Sequence, residues 1–293
     1  GETGPEADTT GFDSTALWAR TGLMDLVRPA PDATPTRSLP GMGDHPTGVS
    51  LMAAIAMGLL RRERTGEGGQ VSTSLVSNGV WMNAFYAQAK LAGAEVAIRP
   101  HRDFATNALA NHYRCADGRW FILALLNEER QAEPFFIAVD RRDILADPRF
   151  ADSASRRQNA RALTEILDAM FIQHDWEHWR ACLSAHGVTF GVVGKVDDLG
   201  GDAQMRHAGA IVDMAADDAH AAALSGPTIG SPVFMAGVEK RPPSAAPALG
   251  QHSREILSEI GYPATEIDRL LGIGVVRQDD ETRPSAAEKG ASQ

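Results

Sequence analysis

An aspartate bracketed by glycines offers the clearest chemistry in this 293-residue chain. Gly41-Met42-Gly43-Asp44 continues through His45-Pro46-Thr47-Gly48 into an apolar run, residues 49–60, in which Ser50 is the one polar side chain and Gly58 is merely small. Such a run is expected to form a helix buried on most of its faces, with Pro46 in its first turn. Arg61, Arg62, Glu63 and Arg64 close it, and it is too short to span a bilayer. Asp44 therefore stands at a helix N-terminus, where two roles fit. A carboxylate there is a good cap for the first-turn amides. It is also held ionised by the helix dipole, and flanking glycines let backbone amides approach an oxyanion, which suits a nucleophile. Spacing alone leaves both open.

The elements around Asp44 are those of an ordinary globular protein. Apolar residues make up 43% and charged residues 23%, with no long apolar run and no signal-like start. The length suggests about two domains. A formal net charge of −10 argues against sequence-independent nucleic-acid binding, which needs a basic footprint. The two cysteines, Cys115 and Cys182, stand far apart in no metal spacing and read as buried free thiols of a reducing, cytoplasmic compartment.

Residues 41–75 carry more than a glycine-flanked acid. Asp44, Gly48, the apolar helix and the following Arg62-Glu63-Arg64-Thr65-Gly66-Glu67-Gly68-Gly69-Gln70-Val71 resemble the core signature of the class III CoA-transferases. That family includes carnitine CoA-transferase, formyl-CoA transferase and α-methylacyl-CoA racemase. The resemblance implies an α/β fold: a Rossmann-like large domain, incomplete here at its N-terminus, with an inserted α+β small domain, assembled as an interlocked homodimer. It implies coenzyme A, as acyl-CoA, for substrate, with no metal, nucleic acid or membrane. Asp44 matches the residue that attacks the thioester and passes through a mixed anhydride to an aspartyl-CoA thioester, from which a free carboxylic acid takes the CoA. Gly43 and Gly48 bracket the candidate oxyanion amides, and Asp13 matches an auxiliary acid near the thioester. The CoA-contacting residues are not assigned.

Two features refine that expectation. Phe12 stands where the racemases carry a proton-exchanging histidine, and a phenyl ring carries no proton, so transfer is favoured over racemisation. Gly1-Glu2-Thr3-Gly4-Pro5 resembles a turn that in the family follows a first Rossmann-like portion, so the chain is expected to be shortened. The rival readings are an acyl-CoA isomerase using another base, and a shortened, non-catalytic paralogue that binds a partner.

Along the rest of the chain, residues 14–26 read as one helix and 71–75 as a strand, while Trp81, Phe85 and Tyr86 read as core. Asp117-Gly118 marks a hairpin. Asn107 and Asn111 read as turn residues before it. Residues 127–139 form a capped helix and 155–173 another. His174 and His178 share one helix face without the H-E-x-x-H order or an evident third ligand, which favours a solvated face over zinc. The expected domain boundaries are 1–100 for the large-domain portion, 101–224 for the small domain, 225–276 for the return linker and terminal helices, and 277–293 for a disordered tail. His252, in a motif at that return, reads as structural.

Overall fold

The computed structural model describes residues 3–98, 100–215 and 226–278, and its regular structure begins with a π-helix, Asp13–Ala19. Gly22, at φ 86°, then turns the chain into α1 (Leu23–Leu26). The single helix expected over 14–26 is therefore interrupted, because Gly22 takes a left-handed conformation that no helix continues through. A loop leads to Gly41, also left-handed at φ 77°, and then to α2 (Asp44–Thr65), 22 residues long. Gly66 ends α2 at φ 76°, its amide donating to the Arg62 carbonyl at 2.8 Å, with Arg62 and Arg64 at the negative end of the dipole.

Two short helices follow, α3 (Leu75–Met82), capped by the Ser74 hydroxyl, and α4 (Ala84–Leu91). Leu17, Trp18 and Leu23 form a small buried cluster, with Met24 and Leu75 against it. Gly79 is what lets α3 approach: a methyl there would lie 2.7 Å from the Thr21 side chain and 3.0 Å from Leu17.

Three expectations for this region fail. None of the residues of α2 is buried; Met52 is 50% exposed and Met57 65%. Apolar composition sets what a helix can bury, but burial needs a facing surface, and α2 has few partners here. Trp81, Phe85 and Tyr86, expected in the core, are 81%, 80% and 43% exposed for the same reason. Residues 71–74 pair with no strand among the described residues and Leu75 already belongs to α3, since alternation makes a strand only where a neighbour completes the ladder.

A larger core lies further along. β1 (His112–Arg114) and β2 (Trp120–Leu123) form the hairpin expected at Asp117-Gly118, with Tyr113 opposite Phe121 and Gly118 at φ 80°. The chain continues through α5 (Glu128–Ala138), capped by Asn127, α6 (Arg142–Ala146), α7 (Ser153–Gln158), α8 (Ala160–Phe171) and α9 (Trp176–Ala185). The helix expected over 155–173 breaks at Asn159. β3 (Phe190–Val192) adds antiparallel to β2. Phe171, fully buried, collects Tyr113, Phe121 and Trp179 with ring centroids 4.8–5.0 Å away.

Gly1–Val193 makes one compact unit and Gly194–Gln293 a second. The second holds α10 (Ala203–His207), an antiparallel pair β4 (Ile211–Asp213) and β5 (Pro227–Ile229), and α11 (Ser253–Glu259) and α12 (Ala264–Gly272). His252 lies just before α11, its Nδ1 3.0 Å from Glu255. Gln278 is bonded to Gln251 and Arg254, while the rest of the expected tail, from 279 on, falls outside the described residues. The fold mixes helix and sheet, and both sheets are antiparallel; a Rossmann-like parallel sheet is not present among the described residues.

Candidate active site

Asp44 is the first residue of α2, and the cap position falls to Gly43. Its exposed carboxylate accepts no hydrogen bond and forms no ion pair among the described residues. The capping role left open by the sequence is therefore not the one its side chain takes. The free charge stands where the aligned peptide dipoles favour an anion. His45 folds back so that its ring lies over Gly41; a methyl built on Gly41 would be 3.5 Å from the imidazole.

Asp13 reaches the same turn from the π-helix. Its Oδ1 accepts from the Ser14 amide at 2.6 Å, and its Oδ2 from the Gly43 amide at a long 3.5 Å. Gly43 is buried between Asp13 and Leu17, and a methyl on it would come within 2.9 Å of the Asp13 Cβ. The structure thus brings Asp13, Gly43 and Asp44 together. Gly48 stands one turn beyond Asp44, its amide directed along the helix toward the Asp44 carbonyl. Among the described residues nothing lies within 4 Å of where its side chain would be, so the helix surface beside Asp44 is open there.

Phe12 is 65% exposed next to Asp13. A cleft of about 860 Å³ adjoins the segment leading into it, lined by Thr9, Thr10, Gly11, Thr15, Arg20 and Thr73.

The other polar residues singled out make contacts within the fold. Asn107 accepts from the Leu109 amide and donates to the Leu125 carbonyl. Asn111 is buried, donating to Arg102 and accepting from His112. His174 and His178 stack with centroids 4.0 Å apart, and His178 Nε2 lies 3.7 Å from the Cys182 thiol. Among the described residues no group of three or more His, Cys, Asp or Glu is arranged to hold a metal ion. Both cysteines are free; Cys115 is buried and Cys182 partly so. Burial, with the charges of Asp117 and Asp175 adding to it, pushes the Cys115 thiol up to about 11.

Sequence reasoning passed over Asn78. It is buried in α3, bonded to Ser50 of α2, and it stood out as an amide among apolar and small neighbours, Val76-Ser77-Asn78-Gly79-Val80.

The profile of CoA-transferase family III matches residues 1–253. The chain belongs to this family. Among curated relatives it is 27% identical to (R)-2-hydroxy-4-methylpentanoate CoA-transferase of Clostridioides difficile, over 94% of this chain and 68% of that protein. It is 29% identical to succinyl-CoA:glutarate CoA-transferase of Mus musculus, over 96% of this chain and 63% of that protein. The crystal structure of a CAIB/BAIF family protein from Brucella suis superposes with a TM-score of 0.76 at 26% identity, covering 88% of this chain and 65% of that one. The chain thus spans 63–68% of the length of these relatives.

Proposed function

We propose that this family III chain moves CoA from an acyl-CoA thioester to a free carboxylic acid, with Asp44 as the covalent nucleophile. The observation that carries the reading is the exposed Asp44 carboxylate, without a partner among the described residues, on the first residue of a 22-residue helix, the accessible position a nucleophile needs. In that reading the carboxylate attacks the thioester carbonyl and expels CoA as its thiolate, leaving a mixed anhydride. The thiolate then attacks the Asp44 carbonyl, and the donor acid leaves as carboxylate. The acceptor carboxylate repeats both steps in reverse order, and Asp44 is regenerated as its product departs as a CoA ester.

The neighbouring residues take narrower roles than the sequence suggested. Asp13 organises the turn by holding the Gly43 amide, and the Asp44 amide, which has no acceptor among the described residues, is the donor closest at hand for an oxyanion. Gly48 contributes clearance for the substrate rather than a hydrogen bond.

The proposal extends to an interlocked homodimer acting in the cytoplasm. The exposed apolar side chains of α2 and α4 are the kind of surface a subunit interface covers, and two free thiols suit a reducing compartment. No helix among the described residues is long and apolar enough to cross a membrane. Relatives named for succinyl-CoA make dicarboxylic acyl-CoA esters the first donors to test.

Isotope exchange separates transfer from racemisation. Transfer moves a labelled free acid into its CoA ester with ping-pong kinetics and leaves the α-proton in place. Exchange of the α-proton with deuterated water, without acid incorporation, would favour the racemase reading instead.

A further inference from the structure

Because α2 buries none of its residues, bulk packing does little to fix where its first turn points. Specific contacts have to do so, and two of them bracket Asp44. Before it, Gly43 is wedged against Asp13 and Leu17. After it comes a buried hydrogen-bonded brace. Asn78 is 7% exposed, and its amide is fully engaged: Nδ2 donates to Thr73 Oγ1 at 2.8 Å and to the Ser74 carbonyl at 2.9 Å. Its Oδ1 accepts from Ser50 Oγ at 2.5 Å.

Ser50 links that amide to the start of α2. Its hydroxyl also lies 3.0 Å from the Pro46 carbonyl, so one proton sits between an acceptor on α3 and an acceptor in the first turn of α2. Ser50 is the one polar side chain of the apolar run. In a stretch that otherwise avoids hydrogen-bonding groups, a hydroxyl directed at a buried amide has a partner to serve. Thr73, through its hydroxyl, and Ser74, through its backbone carbonyl, in turn tie Asn78 to the segment that caps α3.

We infer that Asn78 is a positioning residue for Asp44, acting through Ser50 to hold the first turns of α2 in the orientation that presents the carboxylate to its substrate. The inference rests on the reading of Asp44 as the acyl-accepting group. A buried amide that loses its partner is left unsatisfied, so removing either end of the pair disturbs the same contact.

The test is the rate of hydroxamate formation on Asp44, read by peptide mass spectrometry, with hydroxylamine and a panel of acyl-CoA esters headed by succinyl-CoA. Wild type is compared with Ser50→Ala, Asn78→Ala, the double variant and Ser50→Thr. Loss of one such hydrogen bond is expected to slow labelling at saturating acyl-CoA by about tenfold, with the half-saturating concentration unchanged. The double variant should be no slower than the singles, and Ser50→Thr, which keeps the hydroxyl, should recover most of the rate. A purely structural brace would lower the melting temperature and leave the rate per folded molecule alone; that result, or additive losses, overturns the inference. If Asn78→Ala does not fold, Ser50→Ala and Ser50→Thr decide the matter, because Ser50 is only half-buried. Wild type that never labels at Asp44 removes the nucleophile reading and this inference with it, whereas wild type that labels beside unaffected variants removes this inference alone.

Discussion

The Gly43 amide points at the carboxylate of Asp13, 30 residues earlier in the chain, at 3.5 Å, and the two residues touch so closely that Gly43 has no room for a side chain. The turn that presents Asp44 is therefore held by a residue on another element. This relationship separates two roles for Asp13. If it acts as an acceptor for backbone amides, Asn serves nearly as well as Asp and Ala does not. Asp13→Asn is expected to keep the melting temperature and Asp44 labelling near wild type. Asp13→Ala should lower stability by about 0.5–2 kcal/mol and slow labelling. Loss of labelling in Asp13→Asn with stability intact would show that the charge itself takes part in the reaction.

Gly43→Ala gives a sharper perturbation. Its backbone, at φ −95°, is open to any residue, so the cost is steric: the new methyl would meet the Asp13 Cβ at 2.9 Å and Leu17 at 3.1 Å. Overpacking of this kind costs about 1–3 kcal/mol. Chemical denaturation should show a loss in that range, together with reduced Asp44 labelling because the turn has to shift.

The larger core contains its own strong constraint. Glu128 and Arg156 are 3% and 4% exposed and paired at 3.2 Å, with Arg157 on the other carboxylate oxygen at 3.0 Å and the Phe150 carbonyl accepting from Arg156. A buried pair broken outright costs about 3–5 kcal/mol, and that is the upper end for Arg156, because Arg157 stays on the other Glu128 oxygen. Arg156→Ala should lose up to that much stability in urea titrations, while Arg157→Ala, at an exposed side chain, should lose far less.

Cys115 makes stability depend on alkaline pH. An unfolded thiol ionises near 8.5, whereas burial, reinforced by Asp117 and Asp175, holds this one protonated up to about 11. Between those values the folded chain keeps a proton that the unfolded chain has lost. The contribution is intact below the unfolded value and is lost as pH rises through the window. Urea midpoints measured below and within the window should fall for wild type, and the fall should be shallower in Cys115→Ala. Native alkylation should reach the partly exposed Cys182 first.

Much of this was legible in the sequence where the signal is local. The start of α2 at Asp44, its glycine stop at Gly66 and the hairpin at Asp117-Gly118 all follow from residues that act on their own backbone. The proximity of Asp13 to Asp44 came from the family resemblance, and the geometry behind it, a glycine wedged against Asp13 and Leu17, is a long-range fact that spacing does not encode. What was misread shares one cause. The burial of α2, the core placement of Trp81 and Phe85 and the strand at 71–75 each depend on a surface or strand facing them, and composition reports only readiness to be covered. Asn78 was missed because the meaning of a polar residue in an apolar stretch depends on its partner, and Ser50 lies 28 residues away.

The most direct test of the account is covalent trapping at Asp44. Incubated with acyl-CoA esters and hydroxylamine, the folded protein is predicted to carry a hydroxamate on Asp44, with none formed in Asp44→Ala. CoA transfer that survives Asp44→Ala, or a hydroxamate that appears on a different carboxylate, would contradict the assignment of Asp44 as the nucleophile.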